Sequence, residues 1–250
     1  MRALDGRVAL VTGGGSGIGR ATALALAREG ARVVVANRRV REGEETVGLI
    51  QAAGGQAAFT RADLHEPGQI DALFETARRL FGPVTIGFNN AGVQERRTLL
   101  ADAGADLYQQ VFDVNVRAVF LCMQHEIRHM LEAGGGVVIN NASVSGGRNS
   151  NPGLGLYSAS KAAVLSLTRS AAMEYGPHNI RVNAVSPGRV HTAMMLASGI
   201  ADMSEVARGL PLRRLGEPEE VAAAVVWLAS ASSSFVTGHV LAVDGGFLSQ

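Results

Sequence analysis

The chain has 250 residues, 47% of them hydrophobic and 18% charged, which is enough to bury a large core and fits one α/β domain. Its formal charge of +1, with only the short basic run Arg38, Arg39 and Arg41, offers no concentrated basic patch and argues against nucleic acid or a membrane surface as partner. Cys122 is the single cysteine, so an internal disulfide and a thiolate zinc cluster are excluded, and a reducing compartment suits it.

The opening stretch MRALDGRVALVTG lacks the apolar run and cleavage site of a secretory signal, and the longest apolar stretch, VAAAVVWLA over residues 221–229, is too short to cross a bilayer. A soluble, cytoplasmic protein is expected. In chain order RVALVTG reads as a strand and 17–29 as a helix, then RVVVAN as a strand and 40–53 as a helix. QAAFTRAD, the helix 67–81, VTIGFNNAG and one long helix over 102–131 follow. GVVINNAS, the helix 157–175, IRVNAVSPG, the helix 218–230 and HVLAVDGG complete the series.

Short β-branched runs, apolar on both faces and alternating with helices, predict a parallel sheet covered on each side. The expected fold is a doubly wound, Rossmann-like α/β/α three-layer domain over 1–250, with no linker or internal repeat to divide it. Ligands of such sheets bind beyond the carboxyl ends of the strands, which directs attention to Gly13, Asn37, Asp63, Asn89, Ser143 and Pro187. The weakly patterned stretch at about 190–210, rich in Met, Ala and Gly, lies on that edge and reads as a substrate lid.

TGGGSGIGR follows the first strand and opens the first helix. Glycine there lets the backbone take positive φ and approach a ligand closely, and the helix start favours a pyrophosphate. The G-x-G-x-x-G fingerprint does not fit, whereas T-G-x-x-x-G-x-G does, through Gly13, Gly17 and Gly19. Further on, YSASK places Tyr157 and Lys161 four apart, on one face of a helix.

With Thr12 to Gly19, NNAG from Asn89 to Gly92, Asn115, Ser143, YSASK, and Pro187 with Gly188 all in order, the chain resembles the short-chain dehydrogenases/reductases from about residue 7 to 246. The resemblance implies hydride transfer between a nicotinamide dinucleotide and a carbonyl or secondary alcohol, in the manner of a ketoreductase. An NAD-dependent alcohol or sugar dehydrogenase of the same family is the alternative. It further implies that Tyr157 is the proton donor and acceptor, that Ser143 holds the substrate oxygen, and that Lys161 binds the nicotinamide ribose. Asn115 would hold a water linking that lysine to solvent. A free phenol ionises near pH ~10, and the cations Lys161 and oxidised nicotinamide beside Tyr157 are expected to lower that value.

The segment SVSGGRNSNPGLGLY is one residue longer than the family's common spacing, so Ser145 is an alternative to Ser143. Ser143 is favoured because it directly follows INNA at a strand end. By resemblance Ser16, Ile18, Asp63, Leu64, Asn89, Ala91, Gly92, Pro187, Gly188, Val190 and Thr192 would also touch cofactor, with Asp63 and Leu64 bordering the adenine. The substrate would meet Ser145, Leu154 and Met194, within a frame made by 92–95, 145–155 and the lid. Family members are usually tetramers or dimers packed through the helices after Asp102 and Tyr157, so a homotetramer, or a homodimer, is expected.

In NAD enzymes an acidic residue after the second strand bonds the ribose hydroxyls, and Asn37 stands there instead, followed by Arg38. Nothing at that place repels a 2′-phosphate and a guanidinium can grip one, so NADP(H) is favoured over NAD(H). A rival motif is HEIRH, residues 125–129, which matches the zinc-protease pattern H-E-x-x-H. The later glycine and histidine of its extended form are absent, so a zinc hydrolase is the remote alternative, no metal is expected, and two surface histidines one turn apart are the expectation. A redox-sensing binding protein that lost its chemistry would lack part of the Ser-Tyr-Lys set, which this chain keeps whole.

Overall fold

A computed structural model describes residues 2–148, 151–198, 200 and 202–250. The strands are β1 (Val8–Thr12), β2 (Arg32–Asn37), β3 (Gln56–Arg61), β4 (Ile86–Asn89), β5 (Gly136–Asn141), β6 (Ile180–Pro187) and β7 (Val240–Val243). They form one sheet in the order β3-β2-β1-β4-β5-β6-β7, every pair parallel. The helices are α1 (Gly17–Arg28), α2 (Val40–Ala52), α3 (Pro67–Phe81), α4 (Ala105–Phe112), α5 (Ala118–Ala133), α6 (Gly155–Tyr175), α7 (Ala193–Leu196), α8 (Met203–Arg208) and α9 (Pro218–Ala229).

Successive strand residues point to opposite faces, so one apolar run feeds two cores. Ala9, Val11, Val33, Val35, Phe88 and Ile139 pack with Leu26, Ile50, Val221 and Leu228 of α1, α2 and α9. Val8, Leu10 and Val34 face Ile70, Phe74 and Cys122 of α3 and α5, and Val138, Val182 and Ala184 face Met123, Ile127 and Val164 of α5 and α6. The doubly wound three-layer expectation therefore holds. Strand order reverses between β1 and β4, and a crevice opens there at the carboxyl edge.

Three boundaries differ from the sequence reading. The long helix expected over 102–131 is divided into a 3₁₀ turn at Leu100–Asp102, then α4, a π-helical turn at Asp113–Arg117, and α5. Apolar periodicity passes through one widened turn almost unchanged, so the sequence pattern did not reveal it. α6 begins at Gly155, before the YSASK motif, and the weakly patterned stretch contains the short helices α7 and α8. Residues 149 and 150 of the expected pocket frame, and 199 and 201 of the expected lid, lie outside the described residues.

Candidate active site

β1 ends at Thr12 and the chain turns at Gly13 (φ +64°) into Gly17 (φ +51°), both in the left-handed region that favours glycine. A Cβ on Gly19 would lie 2.2 Å from the Gly13 carbonyl oxygen, so Gly19 is required for packing of α1 on the turn rather than as groove wall. The first turn of α1 carries no acidic side chain and Ser16 makes no side-chain cap, which leaves the positive helix end facing the groove. Ser16, Ile18, Asn37, Arg38, Asp63, Leu64, Ala91, Gly92 and Thr192, all among the residues the resemblance assigned to cofactor, line that groove.

Asn37 does not face a ribose freely: its Nδ2 donates to the Arg39 carbonyl at 2.8 Å. Arg38 Nη1 lies 3.9 Å from Asp63 Oδ2 across the groove mouth, a loose and largely exposed pair. Arg39, which sequence reasoning did not place in the site, lines the groove, with Nε 3.2 Å from Glu42 Oε1 and Nη2 donating to Ser16 Oγ at 3.4 Å. Its position immediately before α2 was the available signal.

Asn89 requires a correction. It is buried, and Nδ2 donates to Glu126 Oε2 at 2.9 Å and to Asn140 Oδ1 at 3.0 Å, beneath the groove. The groove residue is Asn90. Its Nδ2 holds the Thr12 and Gly13 carbonyls, its Oδ1 accepts from Asn141, and Thr12 Oγ1 accepts the Asn90 and Ala91 N–H groups. Asn89 is the last residue of β4 and keeps the strand's alternation, whereas Asn90 is free of it.

A second cavity, continuous with the groove at Ile18, Gly92, Asn141, Thr192 and Met194, contains the expected reacting groups. Ser143, Ser145, Leu154, Tyr157, Lys161, Pro187, Gly188 and Val190 all line it. Ser143 faces the Tyr157 phenol closely enough to oppose the rise of its pKa, and its Oγ accepts the Ser145 N–H at 3.1 Å. Ser145 Oγ instead accepts from Asn151 Nδ2 at 3.2 Å. Of the two serines, Ser143 is the one whose hydroxyl acts on the Tyr157 pKa.

Lys161 is buried, donates to the Asn141 carbonyl at 2.7 Å and sits 5.8 Å from the centre of the Tyr157 ring. Burial lowers its pKa to about 8. The expectation that Tyr157 would be acidified is reversed in the protein alone. Burial pushes the phenol above its ordinary value, Glu95 adds to the rise, and Ser143 and Arg189 oppose it. Glu95 was placed only in the pocket frame, yet its carboxylate turns away from the cavity and both oxygens accept the Tyr157 N–H, at 3.0 and 3.1 Å. It caps α6 from another loop and fixes where the phenol starts.

Asn115 lies in the π-helical turn and is fully buried. Its Oδ1 accepts from Val93 N and its Nδ2 donates to Val93 O, both at 2.8 Å, and to Ser160 Oγ at 3.0 Å. That side chain is a clip between the loop after β4 and α6.

HEIRH also departs from expectation. His125 Nε2 pairs with Asp71 Oδ1 at 2.8 Å, His129 is buried with Nδ1 accepting the Val84 N–H at 3.1 Å, and Glu126 is fully buried against Asn89. The motif is thus not a pair of surface histidines. Its three side chains take three unrelated partners, and among the described residues no cluster of three potential metal ligands forms.

The family model described as enoyl-(acyl carrier protein) reductase matches residues 13–248. The chain belongs to the short-chain dehydrogenase/reductase family, and is an NAD(P)-dependent oxidoreductase acting on alcohol and ketone groups. It is 40% identical to a cyclohexanol dehydrogenase of Acinetobacter sp. (98% of this chain, 96% of the relative). It is 42% identical to a 2,5-dichloro-2,5-cyclohexadiene-1,4-diol dehydrogenase of Sphingobium indicum (99% of each). A solved Beutenbergia cavernae protein holding NADP at low occupancy matches with a TM-score of 0.94 at 35% identity, covering 99% of both chains.

The residues present fit a nicotinamide dinucleotide. The turn is closed to a Cβ at Gly13 and Gly19, the helix end above it is uncapped by acid, and a Cβ on Gly92 would intrude to 3.2 Å from Asn115 Oδ1 and 3.5 Å from Lys161 Nζ. The groove thus runs from the turn, past Gly92, to the cavity that holds the buried lysine.

Proposed function

We propose that this chain is an NADP(H)-dependent ketone reductase and secondary-alcohol dehydrogenase with Tyr157 as its general acid and base. The observation that carries the proposal is the Ser143–Tyr157 pair lining one cavity with Lys161, at the end of the groove built by the glycine turn. Bound there, the nicotinamide supplies or accepts the hydride. In reduction, the Tyr157 O–H bond breaks as a new O–H bond forms on the substrate oxygen, and Ser143 donates to that same oxygen as negative charge develops. Lys161 stays cationic below pH about 8 and stabilises the phenolate left behind. Because burial raises the Tyr157 pKa in the protein alone, the phenol is held protonated, ready to act as the acid in reduction. Oxidation runs the proton backwards and needs extra positive charge beside the ring.

NADP(H) is favoured because Arg38 and Arg39 flank the groove and no carboxylate occupies position 37. Asp63 and Leu64 would border the adenine, and Thr192 would reach the carboxamide or phosphates. One domain over 1–250 carries the site, and the segment 190–210 with α7 and α8 would close over substrate at Met194. Assembly as a tetramer or dimer is supported by exposed apolar side chains on the relevant helices, Tyr108, Phe120, Leu131 and Met173. A cytoplasmic setting suits the free, buried Cys122, and none of the described helices is long and apolar enough to cross a membrane.

The test is Tyr157→Phe, assayed by oxidation of NADPH with a panel of cyclic ketones. Turnover should fall roughly 100-fold to 10,000-fold while NADPH still quenches protein fluorescence on binding. Unchanged turnover would remove Tyr157 from the chemistry.

A further inference from the structure

The cavity holding Tyr157 has one unusual electrostatic property, because every charged side chain lining it is basic: Arg97, Lys161 and Arg189. Lys161 belongs to the reaction. The two arginines do not, and they stand on different loops, Arg97 after β4 and Arg189 after β6. Among the described residues each has one neutral oxygen as side-chain hydrogen-bond partner. Arg97 Nη1 donates to the Pro152 carbonyl at 2.8 Å, and Arg189 Nη2 donates to Asn151 Oδ1 at 2.7 Å. Their guanidiniums thus converge on two consecutive residues of one loop.

Among the described residues no carboxylate lies within ion-pair distance of either arginine. The acids nearby are engaged elsewhere. Glu95 spends both oxygens on the Tyr157 N–H, and Asp244, in contact with Gly188, spends Oδ1 on Gly246 N–H and Oδ2 on Leu248 N–H. Arg189 is half-buried over the Phe247 ring at 5.7 Å. Burial and the Arg97 charge both act against its ionisation, a sign that two like charges share this wall.

A partly desolvated guanidinium without a counter-ion, Arg189, is costly, and a planar oxyanion accepting its N–H donors together with those of the exposed Arg97 beside it offsets that cost. We infer that the substrate is a secondary alcohol or ketone carrying a carboxylate, seated on Arg189 and Arg97 while its reacting oxygen meets Tyr157 and Ser143. The inference rests on the catalytic reading above. Seating would also reach the reacting serine through a chain of contacts, Arg189 to Asn151, Asn151 to Ser145 Oγ, and Ser145 N–H to Ser143 Oγ. An anion at Arg189 therefore holds in place the hydroxyl that binds the substrate oxygen.

The experiment compares cyclohexanone with 4-oxocyclohexanecarboxylate as substrates for the NADPH-loaded enzyme, in wild type, Arg189→Gln and Arg97→Gln. Binding of both probes is also measured by calorimetry in Tyr157→Phe, where chemistry is suppressed. The wild type should favour the acid in kcat/KM by about 30-fold or more, the scale of one ion pair removed from water, with the ratio falling as salt is raised. Either arginine variant should bring the ratio towards one. A wild-type ratio near one with the ketone turned over, or a ratio unmoved in both variants, overturns the inference and leaves the catalytic reading standing. If neither compound is turned over, the calorimetry decides. Arginine-dependent, acid-selective binding upholds the anion seat while the catalytic reading fails, and absence of such binding overturns the seat.

Discussion

Glu126 is fully buried beneath the sheet edge, and burial raises its pKa from 4.5 to about 7, a rise that the hydrogen bond from Asn89 only partly opposes. The carboxyl is packed where Gly87 has no side chain, since a Cβ there would lie 2.1 Å from Oε1. Among the described residues its Oε1, like Asn89 Oδ1, finds no hydrogen-bond partner, which suits a carboxylic acid better than a carboxylate. The linkage has a definite sign. The folded chain holds this proton more tightly than the unfolded chain, so the associated stability is complete below pH 4.5 and is lost as pH rises to about 7. At 1.36 kcal/mol per pKa unit, the rise corresponds to about 3 kcal/mol as an upper limit. Glu126→Gln keeps the shape, supplies a donor in place of the proton and cannot ionise. Urea unfolding at pH 5 and pH 8 should show the wild type losing stability between them and the variant losing about 2–3 kcal/mol less. Equal losses in the two proteins would show that the carboxylate is accommodated without cost, and the burial argument would fail.

Two further outcomes follow from the groove and the serine pair. Replacing Arg38 and Arg39 together by alanine should weaken NADPH binding by about tenfold to 100-fold and leave NADH binding within a few-fold, because charge-assisted contacts to a 2′-phosphate are lost. Equal weakening for both nucleotides, read by fluorescence titration, would place the arginines outside the phosphate site. Ser143→Ala should lower kcat by roughly 100-fold or more, as loss of an oxyanion donor does, whereas Ser145→Ala should act mainly on KM through Asn151 and Arg189. The reverse pattern would make Ser145 the serine that meets substrate.

Much of the site was legible because it sits where strands end, and strand ends show in a sequence as apolar runs meeting glycine, asparagine or serine. Gly13 and Ser143 were found in that way, whereas Tyr157 was read from its spacing to Lys161 on one helix face. Side-chain direction was less visible. Asn89 and Asn90 are identical in the sequence, and only the point where β4 stops assigns one to the buried layer and the other to the groove. Glu95 could not be read at all, since a carboxylate capping a helix start 62 positions away leaves no local pattern. Gly87 was a readable clue to Glu126: glycine inside an apolar strand marks the close approach of another group.

The same burial that makes Lys161 useful makes it expensive. Its pKa falls from 10.5 to about 8, so the folded chain resists the charged form, and the stability withheld below pH 8 is recovered only as pH rises from there towards 10.5. Glu126 imposes its cost from the other side, complete by about pH 7. Between these limits, around neutrality, both penalties act together within one end of the sheet. In the proposed reaction Lys161 would return something for its share, because a cation kept out of water acts more strongly on the phenolate that would form when Tyr157 gives up its proton. Glu126 takes no part in the proposed reaction, yet its partner Asn89 also ties β4 to Asn140 of β5, and Asn140 in turn donates to Thr168 on α6, the helix that carries Tyr157 and Lys161. A buried polar layer of this kind fixes the register of the two strands and the seating of the catalytic helix, which apolar packing alone would leave free to slide.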